Sequence, residues 1–146
     1  MSRSQTLDVQ NPEIAYTGKT GIDSQSNIRS IHDLRYLCYV SPCDTFNVQT
    51  SNGPVSISQS GVVFIYFMDS ENNTTIIPIN TVYHMPHTSY PLLPFTFFST
   101  NHWHKNETRI TYKRTCHFDI TIEQAVLFFK LSFTVFSLSI SSSSQN

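Results

Sequence analysis

The sequence predicts an all-β fold: a small, partly closed barrel of about five to seven strands, with a disordered N-terminus and an apolar C-terminal extension. Three observations predict it. Phe46 and Val48 alternate with Asn47 and Gln49, and Val55 and Ile57 alternate with Ser56 and Ser58, on either side of Ser51-Asn52-Gly53-Pro54. Alternation around Asn-Gly is the strongest short-range hairpin signal, because both residues tolerate positive φ. Val62 to Met68 is a seven-residue run rich in β-branched and aromatic side chains, which reads as a buried central strand. Ile76, Ile77, Ile79, Val82 and Tyr83 then supply the next strand or two, with Pro78 marking an edge or a bulge.

The remaining elements follow in chain order. Residues 1–21 are polar, carry Pro12, Gly18 and Gly21, and lack periodicity, so they read as a flexible linker. The β-domain is expected over 22–122. In its first part, Ile31, Leu34, Tyr36 and Leu37 suit one short helical turn on a core. Gly61 separates the hairpin from the central strand, and Asp69 to Asn73 forms a polar turn. Pro86, Pro91 and Pro94 oppose regular pairing, so His84 to Pro94 is expected to be a rigid, extended connection. Arg109 to Tyr112 and Cys116 to Ile122 are candidate strands. Residues 123–146 form the apolar extension with a polar, Ser-rich end.

Composition bounds the function. The chain has 146 residues, enough for one domain with tails. Charged residues make up 13% and the formal net charge is −1. The basic residues are scattered, whereas nucleic-acid binding needs clustered Lys and Arg, so no nucleic-acid partner is expected. Cys38, Cys43 and Cys116 are odd in number and irregular in spacing, which predicts free thiols in a reducing compartment. Met1 to Gln10 carries no apolar run of the signal-peptide kind. The expected location is intracellular, in the cytoplasm, and the sequons at Asn72, Asn73 and Asn106 then carry no glycan.

One phrase carries candidate chemistry: Ile22-Asp23-Ser24-Gln25. An apolar residue followed by Asp-Ser or Asp-Thr is the active-site phrase of aspartic peptidases. Two carboxylates about 3 Å apart must share one proton, so that one acts as base on a water and the other as acid. The hydroxyl after the Asp braces the loop. The third position is normally Gly, because backbone packs closely there. A chain with one such phrase must form a two-fold homodimer to assemble the pair. Asp44-Thr45-Phe46 and Asp69-Ser70-Glu71 are rival phrases, one opening a strand and one in a turn.

The order of further pieces resembles the protease region of copia-type retrotransposon polyproteins. The matching pieces are Asp23-Ser24, Asp33 ahead of Tyr36, Thr50-Ser51-Asn52-Gly53, Gly61-Val62-Val63, Ile79 to Pro86, and Tyr90-Pro91-Leu92-Leu93. The resemblance covers about residues 22–93, roughly half the chain. It implies a retropepsin-like barrel, Asp23 and Ser24 as catalytic residues, a homodimer, a polypeptide substrate and no cofactor or metal. The departures are specific. Gln25 stands where the family has Gly, Arg29 where it often has His, and Gly18-Lys19-Thr20-Gly21 where an apolar strand precedes the Asp. A late apolar-apolar-Gly segment has no match. Because of Gln25, the implied activity is expected to be absent or very weak.

Other features have simpler readings. His84, His87, His102 and His104 form a His-rich patch around Trp103, but zinc needs three or four converging ligands. They are expected to be exposed loop histidines, with Trp103 packed on the barrel. Ala125 to Ile140 has 16 residues against about 20 needed to span a membrane, and Lys130 interrupts it. A tail anchor is therefore the lesser reading. Leu131, Phe133 and Val135 alternate with Ser132 and Thr134, which is strand-like. Read-through sequence foreign to the fold is a further possibility. Phe64, Tyr66, Phe67, Phe95, Phe97 and Phe98 are read as core and sheet surface.

Overall fold

The computed structural model describes residues 5–24, 26–50, 52–99 and 102–142, and the fold is all-β. In chain order the strands are β1 (Gln5–Asp23), β2 (Arg29–Ile31), β3 (Cys38–Thr50), β4 (Gly53–Met68), β5 (Thr74–His84), β6 (Leu92–Pro94), β7 (Trp103–Lys105), β8 (Arg109–Tyr112), β9 (Cys116–Asp119), β10 (Thr121–Glu123) and β11 (Val126–Ser142). Two short 3₁₀ segments, Leu34–Tyr36 and Phe95–Ser99, are the helical pieces among the described residues. The main sheet runs β10-β11-β1-β6-β2-β5-β4-β3. A further pairing of β11 with β4, Ser132 opposite Tyr66 through Thr134 opposite Phe64, closes it into a partial barrel. Strands β7, β8 and β9 form a separate three-stranded sheet.

The β3–β4 hairpin is where alternation places it, with Thr50 opposite Gly53. Among the described residues of the turn, positive φ is met at Gly53, at +105°, and not at Asn52. The Thr50 hydroxyl braces the turn, donating to the Gly53 carbonyl at 2.6 Å and accepting from the Asn52 N–H at 3.2 Å. Beyond Gly61, β4 buries Val63, Ile65 and Phe67, while Phe64 and Tyr66 on the other face stay half-buried. Pro78 lies in β5 opposite Phe64, on the stretch where β2 does not reach, so its missing N–H leaves no ladder gap there. The adjacent register shift falls around Thr81, whose φ is +56°.

Three sequence expectations are corrected. The linker reading of 1–21 does not hold for Gln5 onward: β1 is a 19-residue strand paired antiparallel with β11 from Gln5–Ser142 to Ile22–Leu127. Its apolar signal sits on its neighbours. Gly21 leaves room for Leu92 and Tyr90, which would lie 2.7 and 2.9 Å from a Cβ placed there. The boundary at 122/123 is not followed either. β11 is central, and Phe128, Phe129, Leu131 and Phe133 are core residues. The run is apolar because it is covered by β1, β4 and β10, and not because it lies outside the fold. Last, Leu92–Pro94 pairs regularly as β6, parallel to β1 and antiparallel to β2. Pro91 sits just before the strand, where its missing N–H costs nothing, and its carbonyl accepts from the Gly21 N–H at 2.8 Å. Among the described residues, no helix is long and apolar enough to cross a membrane.

The core is one aromatic-rich cluster that joins the two sheets. Trp103 is buried against Phe97, Phe98, Tyr112 and Phe118, and Phe118 and Phe98 both meet Phe129 of β11. Edge-to-face aromatic pairs of this kind add about 0.5–1.5 kcal/mol each beyond area burial.

Candidate functional site

Asp23 is the last residue of β1 and is half-buried. Its strand end is held in place from both sides. On one side Gly21, Ile22 and Asp23 pair antiparallel-to-parallel across the sheet, with β11 opposite Ile22 and β6 aligned as Gly21–Leu92, Ile22–Leu93 and Asp23–Pro94. Ile22 and Leu93 are both buried beneath this junction. The Met85 N–H donates to the Ile31 carbonyl at 2.9 Å and ties the start of the next connection to β2.

Asp23 lines a cavity of about 390 Å³. Ser26, Ile28 and Ser30 line it from the segment after Asp23, Met85, His87, Thr88 and Leu92 from the β5–β6 connection, and Val48, Gln49 and Thr50 from the tip of the β3–β4 hairpin. The hairpin arm therefore reaches over Asp23. Its inner side is anchored by Ile57, fully buried, and by Phe46, whose ring meets Tyr83 edge-on at 5.0 Å. The cavity is mixed in character: Ile28, Val48, Met85 and Leu92 are apolar, and Asp23, Ser26, Ser30, Thr50 and Thr88 are polar. Ser30 is 3% exposed and its hydroxyl has no hydrogen-bond partner. A buried hydroxyl without a partner costs about 1–3 kcal/mol.

Of the expected site residues, Asp23 lies in this cavity and Ser24 follows in an exposed bend. Gln25 lies outside the described residues. Both rival acids have other settings. Asp69 braces its own turn, accepting from the Glu71 and Asn73 N–H groups at 2.9 Å each, and the Asn73 bond foremost holds its pKa below the ordinary carboxyl value. Asp44 is exposed on β3, within the register shift between Pro42 and Phe46. Asp33, placed by the family pattern ahead of Tyr36, caps the first 3₁₀ segment. Arg29, at the family's frequent His position, donates to the Asn80 carbonyl at 2.6 Å and lies over the Phe97 ring.

Sequence reasoning missed the walls of the cavity. The hairpin was legible, but the landing place of its tip depends on β5 and β6, which are remote from it. Leu92 and Leu93 lie beside the Asp23 strand, opposite Gly21 and Ile22. His87 belongs to the Asp23 cavity, whereas His102 and His104 belong to the β7–β9 sheet, so the His-rich patch is two separate groups. No set of three or more His, Cys, Asp or Glu side chains is arranged to hold a metal among the described residues. Cys38, Cys43 and Cys116 are free thiols, and burial pushes the Cys38 and Cys116 thiols up, away from the reactive thiolate. Compared with known proteins, the chain matches no family model, no curated protein and no solved structure.

Proposed function

We propose that this chain is a copia-type retrotransposon-derived, aspartic-protease-like domain whose ancestral role is cleavage of its own polyprotein inside the cell. It acts as a homodimer if functional, on a polypeptide substrate, and the copy as written is inactive or very weak. The observation that carries this reading is the setting of Asp23: an acid at the end of a braced strand, in a cavity roofed by a hairpin tip. Each chain supplies one such acid, so two copies are needed. In that pair, the ionised carboxylate takes a proton from water as the water oxygen adds to the scissile carbonyl carbon. The protonated partner gives its proton to the carbonyl oxygen. Breakdown then expels the amine with one proton returned to it. Gln25 opposes this chemistry, because it stands in the sequence where the resembled family has Gly, the residue that close packing of two loops requires.

Restoring glycine tests the reading. Gln25→Gly is expected to dimerise and to cleave a peptide in a pepstatin-sensitive way, and adding Asp23→Ala is expected to abolish cleavage. A restored protein that stays monomeric and leaves every peptide intact removes the mechanism. The second reading is a non-catalytic β-domain retained for binding or assembly, or a relic without a selected role. Gln25 and the engaged Arg29 favour it. It predicts that peptide binding, where present, survives Asp23→Ala and that Gln25→Gly gains no cleavage.

A further inference from the structure

The three-stranded sheet carries a second cavity, of about 590 Å³, on the face turned away from the core. Strand register builds it. Trp103, Tyr112 and Cys116 stand in one cross-strand row and turn inward, while His104, Thr111 and His117 form the next row and turn outward. The Thr111 hydroxyl and His117 Nδ1 are 3.2 Å apart. The β8–β9 turn adds Lys113 and Arg114, both with positive φ, at +50° and +65°. The Lys113 N–H donates to the carbonyl of His102, at φ +72°, and draws the turn against the start of β7. No carboxylate lines this cavity among the described residues. Trp103 also borders it, 5% exposed, with its indole buried among the core aromatics.

We infer that this cavity binds a phosphate-type oxyanion, free or as the terminal group of a small phosphate ester. Every polar side chain that lines it can donate a hydrogen bond, and two are permanent cations in a chain of net charge −1. A metal ion is the poorer match. No three His, Cys, Asp or Glu side chains are arranged to hold one among the described residues. Lys113 and Arg114 also repel it. The inference is independent of Asp23, which lines a different cavity.

Trp103 is the chain's single tryptophan, so its emission reports on this wall directly. Inorganic phosphate and glycerol phosphate, each titrated into the full chain at constant ionic strength, are expected to give a saturable change that chloride does not. A tighter response to the ester identifies a phosphorylated small molecule as the ligand, and equal responses identify free phosphate. The double variant Lys113→Gly with Arg114→Gly keeps the turn, because glycine accepts positive φ. It is expected to melt no lower than the parent yet to bind about tenfold more weakly or worse. A parent with no saturable response, or a folded double variant that binds as tightly as the parent, overturns the inference.

Discussion

Asp33 and His32 are neighbours whose pKa values are both lowered, Asp33 by stabilisation of its charged form and His32 by burial of its neutral form. Asp33 caps the first 3₁₀ segment, and its pKa is lowered from 3.8 to about 2, first by the Arg35 guanidinium and then by the Arg35 backbone N–H. The folded value lies below the ordinary one, so its contribution is complete above pH 3.8 and is lost as pH falls toward about 2. Carbon-13 NMR of the Asp33 carboxyl should show a midpoint near 2, and Asp33→Asn should remove that limb of acid denaturation. His32 lies against Tyr16 and Tyr36, its Nδ1 is buried without a partner, and burial lowers its pKa below 6.5 against a smaller opposing effect of Asp33. The neutral ring is the form the fold holds. Stability from this group is complete above pH 6.5 and declines as pH falls below it. His32→Phe should flatten that decline in urea midpoints measured from neutral to mildly acidic pH. An unchanged slope would assign the decline to other groups. At this scale the sequence was informative about Gly53, through its turn. It was silent on Ser30 and His87, which owe their positions to chain segments far from Asp23.

At the scale of elements, β11 decides the fold. It pairs with β1 along nearly its whole length and with β4 at Phe64–Tyr66, so it both fills and closes the sheet. Phe133 is 1% exposed and stacks on Tyr16 at 5.5 Å. Phe133→Ala should cost about 3–5 kcal/mol in chemical denaturation, as large-to-small changes at packed aromatic sites do. Ending the chain at residue 122 should abolish cooperative unfolding, because β1 and β4 then lose their partner. A truncated chain with native near-ultraviolet circular dichroism would show that β11 is dispensable. Gly21→Ala is expected to cost about 1–3 kcal/mol, because the added methyl displaces Leu92 and Tyr90 beside the Asp23 strand. Strands encoded by adjacent residues, such as β3, β4 and β8, were legible from alternation and turn chemistry. β1 was not, since glycines at 18 and 21 erase its pattern, and β11 read as an extension because its partners lie across the full length of the chain.

For the whole molecule, closure by β4 and β11 leaves β3 and β10 as the outer edges of the main sheet. β10 is three residues long, and Glu123 there meets Lys19 at 3.1 Å; β3 carries Pro42 and Asp44. Short, charged or proline-bearing edges resist open-ended pairing. The pairing of β1 with β11 joins opposite ends of the chain, so loop closure must precede much of the stabilisation. Refolding should accordingly fall in the millisecond-to-second range typical of non-local β topologies, and stopped-flow Trp103 emission reads it.

The central claim is that Asp23 is half of a shared aspartic pair. Isothermal titration of pepstatin into Gln25→Gly tests it most directly. The account predicts one inhibitor bound per two chains, with binding lost on Asp23→Ala. Binding of one inhibitor per chain, binding that persists without Asp23, or no binding to the folded protein would contradict it.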